Sequence, residues 1–400
     1  MILTSTLHDP SATLLDSIAA AATNVHRHYE TWVVRVTGNT DEAVIQRLKD
    51  CGVKVIGKEA ESEIDNPIEN DHLIALRGAL VEAQNKNDKI IHYQDGDRVI
   101  MAASRYEDDF AETVKDVQSL LHEKGDNPTL TYINLRRSGQ DYATHHAALL
   151  QTELDFNTWY TGVMGIPLDI GSTSHVMTSD VVEQILKRSP ELERVNFPHP
   201  IWLMVAKEMK ADINSIETRK VGAFETPLQY RKQVAAGLAD RPVTILSPNT
   251  ETGGTDSRIA TDAELSENYG LQTQVYLTTE GLTGLQGNFR RTEWNNRFNN
   301  VEQYLSFLRA HLDVFAIDQE SIPHYEGAIA RTLESVARQR VLMEELLPEN
   351  GMGPLDPRRD IESRISAYSQ EFRLTDPRNR DEDLPSTVPD AGTRPGIERF

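Results

Sequence analysis

The 400-residue sequence contains a single cysteine, Cys51, and lacks long apolar runs. One thiol excludes an intrachain disulfide and a zinc site built from several cysteines. No stretch approaches the ~18 consecutive apolar residues that a membrane-spanning helix needs. The first residues, MILTSTL, lack the basic and apolar regions of a secretory signal. We therefore expect a cytoplasmic protein without a membrane span.

Positive charge is also scarce, with 41 Lys and Arg against 62 Asp and Glu and a net charge of −21. Because this field repels phosphate-rich surfaces, nucleic acid and anionic membranes are poor partners. An acidic protein that handles phosphates needs a bridging cation or a local basic pocket. Adaptation to high salt would explain the same charge, and composition does not separate the two explanations.

Strand and helix patterns alternate over the first hundred residues. β-branched and aromatic stretches such as TWVVRV (31–36) and VKVIGK (53–58) are separated by segments with apolar residues at helical spacing. This alternation predicts right-handed βαβ units around a parallel sheet. The expected fold class is α/β, a Rossmann-like, mostly parallel sheet flanked by helices with a C-terminal helical extension. Ligands of such sheets bind beyond the carboxyl ends of the strands.

The chain divides by composition into four regions. Residues 1–230 form the predicted α/β domain, and the turn-rich, polar residues 231–293 predict an irregular insertion. Residues 294–373 contain two segments with apolar residues at i, i+3, i+4 and i+7, which we expect to pack as a helical hairpin on the main domain or on a second copy of the chain. Residues 374–400, rich in Pro, Asp and Arg, predict a disordered tail.

The stretch KIIHYQDGDRVI (89–100) ends a predicted strand with two acids, Asp95 and Asp97, separated by Gly96. Carboxylates at i and i+2 can share one side of a turn, and glycine lets the backbone approach a ligand closely. Mg²⁺ and Mn²⁺ commonly link one or two protein acids to substrate phosphates. An Asp-Gly turn formed for conformational reasons alone is the other interpretation. The position after the fourth predicted strand favours the metal site.

Three segments, in this order, resemble the nucleotide-sugar-dependent glycosyltransferases of the GT-A fold. VVRVTGNTDEAV resembles the second strand and the acidic turn after it, and NDHLIALRGALVEAQNKNDKIIHYQDGD resembles the helix and strand that end in the DxD motif. GIPLDIGSTSHVMTSDVVEQIL resembles the acceptor-side loop and the following helix. The resemblance covers roughly residues 1–225. In length and layout, enzymes of the mannosylglycerate synthase and glucosyl-phosphoglycerate synthase type are nearest.

The resemblance implies transfer of a sugar, expected to be a hexose, from a nucleoside diphosphate sugar to a hydroxyl acceptor, with Mg²⁺ or Mn²⁺ as cofactor. It makes residues 1–230 the nucleotide-sugar-binding and catalytic domain. Asp95 would contact the donor ribose or the metal, and Asp97 would ligate the metal. Arg77 would help to hold the donor phosphates.

On the nucleobase side, the resemblance places Leu7, His8 and Asp9 beside the base and ribose. Members often carry an acid at the end of the second strand, where this chain has Val36-Thr37. Asp41 in the following turn is the acid that remains on this side. The identity of the donor base therefore stays open.

The catalytic region departs from the family pattern. Many inverting members have an acidic pair at the start of the helix that corresponds to PIWLMVAKEM, where this chain has His199. A histidine can act as general base because its ordinary pKa is ~6.5. A rigid turn residue is the other interpretation, and a retaining enzyme would need no protein base. His175 is a second candidate, Asp169 is a candidate for binding acceptor hydroxyls, and Glu225 lies near a third metal-ligand position of some relatives.

Two further functions stay open. A sugar nucleotidyltransferase would share the sheet and the metal, although LHDPSATLL lacks the glycine-rich basic loop that such enzymes use. A degenerate domain acting as a scaffold, with the C-terminal helices as a homo-oligomer interface, would explain the missing acidic pair. The sequence contains no P-loop, no GxGxxG after a strand, and neither an HExxH motif nor a GxSxG elbow.

Overall fold

A computed structural model of the chain describes residues 1–57, 67–123, 130–138, 141, 147–189, 198–222, 244–248, 255–259 and 291–346. Its strands are β1 (Ile2–Leu7), β2 (Thr31–Val36), β3 (Lys54–Ile56), β4 (Ile90–Gln94), β5 (Thr131–Arg137), β6 (Ser174–Thr178), β7 (Asp212–Thr218), β8 (Thr244–Pro248) and β9 (Thr255–Ile259). Its helices are α1 (Ile18–His28), α2 (Glu42–Asp50), α3 (Pro67–Lys86), α4 (Gly96–Arg105), α5 (Glu107–Glu123), α6 (Ala147–Met164), α7 (Ser179–Arg188), α8 (His199–Glu208), α9 (Arg291–Ala310), α10 (Leu312–Phe315) and α11 (Ile322–Leu346).

β1 to β7 form one mixed sheet in the order β3-β2-β1-β4-β6-β5-β7. β1 pairs in parallel with β2 and β4, β2 with β3, and β5 with β7. β6 runs antiparallel to both β4 and β5. The predicted α/β class with a mostly parallel sheet and C-terminal helices is therefore confirmed. The carboxyl ends of β1, β2 and β4 lie at one edge of the sheet. Asp95 follows β4 at this edge, as predicted from the sequence.

Helices cover both faces of the sheet, which explains why the strands are apolar on both sides. On one face α3, α6, α8 and α9 bury side chains such as Trp202, Tyr160 and Leu305 against it. On the other face α1, α2 and α4 contribute residues such as Val25 and Ile100. The two layers hold the strand ends in fixed positions, so side chains that leave these ends are held by a rigid frame.

The C-terminal helices pack on the main domain. α9 lies against α6 and α11, and the Tyr160 hydroxyl donates a hydrogen bond to the carbonyl of Tyr304 at 3.2 Å. The predicted C-terminal helical extension is thus confirmed. The tail predicted at 374–400 and Glu225 lie outside the described residues. Within the 231–293 region β8 and β9 pair antiparallel.

Part of the segment likened above to an acceptor-side loop is regular. SHVMT (174–178) is strand β6, which lies inside the sheet between β4 and β5, and all five of its residues are buried. Ser174, His175 and Thr178 are polar, so the segment lacks the apolar run of a buried strand. No helix in the described part of the chain is long and apolar enough to span a membrane.

Candidate active site

The Asp95-Gly96-Asp97 segment is the junction between β4 and α4. Asp95 precedes the helix with extended backbone, and Asp97 lies in the first helical turn, where its Oδ1 accepts the Arg98 amide at 2.7 Å. A Cβ on Gly96 would lie 2.8 Å from the Thr6 carbonyl oxygen. The glycine therefore lets α4 begin against the end of β1, a close approach to the protein's own backbone rather than to a ligand.

Hydroxyl groups hold the Asp95 carboxylate. Its Oδ1 accepts from the Tyr93 hydroxyl at 3.2 Å, and its Oδ2 accepts from Thr173 Oγ1 at 2.7 Å. The ionisable partner that the described residues place beside it is His72, with Nε2 at 3.9 Å from Oδ1. The Asp95 side chain is 26% exposed. It is therefore oriented without being enclosed, as a metal ligand has to be.

Both acids face a cavity of ≈ 180 Å³. Its wall combines the sheet edge with α6 and α9, and the lining residues are Asp95, Asp97, Arg98, Thr152, Glu153, Phe156, Gly171, Thr173, Arg297, Asn300 and Tyr304. The cavity-lining residues of α6 and α9 are not among the site residues predicted from the sequence. Arg297, Asn300 and Tyr304 recur at i, i+3 and i+7, so they form one helix face with two polar positions. This spacing is visible in the sequence, but it does not show which part of the protein the helix face contacts.

A buried ion cluster lies behind one wall of the cavity. Arg137, 1% exposed, donates to Asp169 Oδ2 from Nε and to Oδ1 from Nη2, both at 2.8 Å, and also forms an ion pair with Glu153. Asn157 donates to the same Asp169 Oδ1 at 2.9 Å. Asp169, predicted to bind acceptor hydroxyls, is thus surrounded by protein donors behind the cavity wall. Glu153 does line the cavity, 3.7 Å from Arg297 Nη1, and burial raises its pKa although Arg137 opposes the shift.

His175 and His199 lie in an aromatic cluster against β4 and do not line this cavity. Both are 0% exposed, and the ring of His199 lies 4.9 Å from those of His175 and Trp202. Burial lowers the pKa of His175 to about 3 and that of His199 well below its usual value, so both rings are neutral at pH 7. A general base has to reach the acceptor hydroxyl. Neither ring lines the cavity, and the catalytic roles of His175 and His199 stay predictions.

Burial of neutral histidines makes the stability of the protein depend on pH. His92, with a pKa lowered to about 3 by burial, joins His175 and His199. Unfolded histidines bind protons below pH ~6.5, so unfolding takes up protons there and acid favours it. Asp141, whose pKa burial raises to about 7, and Glu153 act in the opposite direction. Each histidine contributes ~1 kcal/mol and Asp141 offsets about as much as one of them, so the free energy of unfolding should fall by ~1–2 kcal/mol between pH 6.5 and 5.5. Urea unfolding at both values measures it, and an unchanged or higher value at pH 5.5 would contradict it.

The residues predicted on the nucleobase side lie at the same sheet edge, but two of them stabilise local structure. Asp9 accepts the Thr13 and Leu14 amides, both at 2.9 Å, and so orders the turn before α1, which begins at Ile18. Asp41 is the N-cap of α2 and accepts the Ala43 amide at 2.7 Å.

The other residues predicted to bind the donor are His8, Leu7 and Arg77, and they differ in exposure and position. His8 is exposed, and its Nδ1 lies 2.7 Å from Thr37 Oγ1. The Leu7 side chain is buried, and Arg77 is exposed on α3 and is not part of the cavity lining. Leu7 and His8 therefore lie at the end of β1, where a Cβ on Gly96 would lie 3.1 Å from the Leu7 Cβ, whereas Arg77 is not one of the cavity-lining residues.

The comparison with solved structures finds similar chains. No protein-family model and no curated protein matches the sequence. The crystal structure of Mycobacterium tuberculosis glucosyl-3-phosphoglycerate synthase is similar over 65% of this chain and 87% of that chain, at 12% identity and a TM-score of 0.32. Its complex with Mn²⁺, uridine-diphosphate-glucose and phosphoglyceric acid matches over 64% and 88%, at 14% identity and a TM-score of 0.33. At this identity and TM-score the similarity assigns no activity to this chain. Any function has to be inferred from the residues of the site.

Proposed function

We propose that this chain is a metal-dependent glycosyltransferase that moves a sugar from a nucleoside diphosphate sugar to a hydroxyl acceptor. The observation that carries the proposal is that Asp95 and Asp97 line one cavity at the carboxyl edge of β1 and β4. In open α/β sheets this edge is where ligands bind. A twin-carboxylate site in a chain of net charge −21 needs a cation to hold a diphosphate.

The residues fit a hard divalent cation such as Mn²⁺ or Mg²⁺. In the described part of the chain no group of three or more His, Cys, Asp or Glu side chains could hold an ion. Two carboxylates are sufficient, because such ions usually complete their coordination with water and substrate phosphates. One hydroxyl donor on each oxygen of Asp95 leaves further lone pairs available. When bound, the ion would stabilise the negative charge of the leaving diphosphate.

The remaining side chains would position the two substrates. We propose that His8 and the end of β1 contact the nucleoside, that Asp9 and Asp41 order that edge through the turns they cap, and that Arg77 acts on the phosphates. On the acceptor side, Thr152, Asn300 and the carboxylate of Glu153 offer polar groups in the cavity of ≈ 180 Å³ that Asp95 and Asp97 also line. Holding the acceptor hydroxyl beside the donor would supply much of the rate enhancement.

The residues predicted to act on the acceptor proton are proposed to support the site instead. Asp169 fixes Arg137, which in turn orients Glu153. His175 and His199 fill the aromatic layer against β4. A transfer with retention, in which the leaving diphosphate takes the acceptor proton, requires no protein base and is compatible with this cavity.

A thermal-shift screen tests the proposal directly. Nucleoside diphosphates and their sugars should raise the melting temperature only when Mn²⁺ is also present, because the acids hold the diphosphate through the ion. Ligand at 100 times its Kd stabilises the folded state by ~2.7 kcal/mol. The same ligands with EDTA are the control. Stabilisation by nucleoside triphosphates with Mn²⁺, but not by the diphosphate sugars, would favour a nucleotidyltransferase, and no stabilisation by any of them would favour a scaffold.

A further inference from the structure

Thr173 has an unusual backbone conformation for its side chain. It follows a short 3-10 turn (Ile170–Ser172) and adopts φ 53° and ψ 27°, in the left-handed region. Among the described non-glycine residues with positive φ it is the one β-branched residue; the others are Ala12, Asn87, Lys210 and Lys220. A β-branched side chain in this region is strained. Such strain persists where the surrounding structure imposes it, often beside a functional site.

The hydroxyl of Thr173 lies within 2.7 Å of both Asp95 Oδ2 and the Ser172 carbonyl oxygen. Both partners are acceptors, and the hydroxyl has one proton to donate. The Ser172 carbonyl already accepts Arg98 Nη1 at 2.7 Å. A hydrogen bond to an ionised carboxylate is the stronger one. The proton therefore goes to Asp95.

We infer that Thr173 is a positioning residue for the metal ligand Asp95, and this inference rests on the proposed function. Tyr93 donates to the other oxygen, and its own hydroxyl lies 2.9 Å from Thr6 Oγ1, which can donate to it. Asp95 is thus clamped from both sides by hydroxyl groups that carry no charge. Such partners orient a ligating carboxylate without neutralising it. The strained backbone of Thr173 is the conformation that brings its hydroxyl to Oδ2.

Three substitutions at Thr173 separate the effect of its hydroxyl group from the effect of its backbone strain. Thr173→Val keeps the branched shape and removes the hydroxyl, Thr173→Gly removes both hydroxyl and strain, and Thr173→Ser keeps the hydroxyl. Mn²⁺ affinity in the presence of a stabilising nucleoside diphosphate, measured by calorimetry or by the electron paramagnetic resonance of free Mn²⁺, should fall ~10-fold for Thr173→Val and Thr173→Gly. Thr173→Ser should stay close to wild type.

The melting temperature without ligand is the second readout. Thr173→Gly should melt ~1–2 °C above Thr173→Val, because both lack the hydroxyl and glycine adopts a positive φ without strain. A loss of ion affinity that is equal in both variants, although their stabilities differ, does not come from misfolding. If Thr173→Val does not fold, Thr173→Gly carries the comparison.

Wild-type Mn²⁺ affinity in both Thr173→Val and Thr173→Gly would overturn the inference while leaving the proposed function in place. An equal loss in Thr173→Ser would also overturn it, because the hydroxyl would then not be the cause. If the wild-type protein binds no Mn²⁺ with any nucleoside diphosphate, the proposed function fails and the inference fails with it.

Discussion

Asp97→Ala is expected to abolish metal-dependent donor binding and to leave the fold intact. Asp97 lines the cavity from the first turn of α4, and among the described residues the proposal gives the ion one further carboxylate ligand, Asp95. Loss of one of two charged ligands should weaken the affinity for a nucleoside diphosphate in Mn²⁺ by at least ~100-fold, which is about 2.7 kcal/mol. Calorimetric titration of the diphosphate into variant and wild type, with Mn²⁺ and with EDTA, measures the difference.

Asp108→Ala is the matched control. Asp108 lies in the first turn of α5, as Asp97 does in α4, but it is exposed. Each substitution removes an acid from a helix N-terminus, which costs ~0.3–1 kcal/mol of stability. Both variants should therefore melt at similar temperatures, and only Asp97→Ala should lose the ligand. Unchanged donor affinity of Asp97→Ala in Mn²⁺ would count against the metal site.

Arg137→Met should have the largest effect on stability. Arg137 pairs with both Asp169 and Glu153, and its removal takes the cation from the buried Asp169 and leaves Glu153 with Arg297, 3.7 Å away. Breaking a buried ion pair from one side costs ~3–5 kcal/mol. A Cβ on Gly222 would lie 2.3 Å from Cγ of this side chain, so the site is built closely around it. Urea unfolding at pH 7 should show the loss in the free energy of unfolding.

The neighbouring Arg136 gives a matched comparison. It points to the other face of β5, pairs with Glu217 and is 19% exposed. Arg136→Met should therefore cost no more than ~1 kcal/mol. The loss in Arg137→Met should also shrink relative to wild type as the pH falls, because unpaired buried carboxylates have raised pKa values and take up protons. Equal losses in the two variants would show that the buried cluster contributes little.

Local sequence patterns predicted the frame of the site well. TWVVRV and KIIHYQ became β2 and β4, and the apolar periodicity after Trp294 became α9 and α11. The roles of single polar residues were harder to predict. Asp9 and Asp41 have short side chains next to helix starts, and both cap the backbone nearby. Any acid beside a predicted turn has this local alternative.

The sequence left two interpretations of His175 and His199 open, a catalytic role and a structural one. The structure places His175 in β6, inside the sheet, and His199 at the start of α8, which packs against the sheet. Whether an imidazole is a base or a core side chain depends on its solvation. Solvation is set by the elements that pack over the residue, and these come from distant parts of the chain.

The sequence by itself determined the α/β class, the parallel order of the first strands and the place of Asp95 and Asp97 at the end of β4, because these depend on residue spacing over a few turns or strands. Only the tertiary structure decided that α6 and α9 bring Glu153, Arg297 and Asn300 to the same cavity. It also decided that Thr173 reaches Asp95 from 78 residues away. Contacts of this kind depend on how whole helices dock on the sheet. The free energy of docking is distributed over many apolar side chains. The pattern of these apolar side chains does not indicate which polar residues the docking brings together.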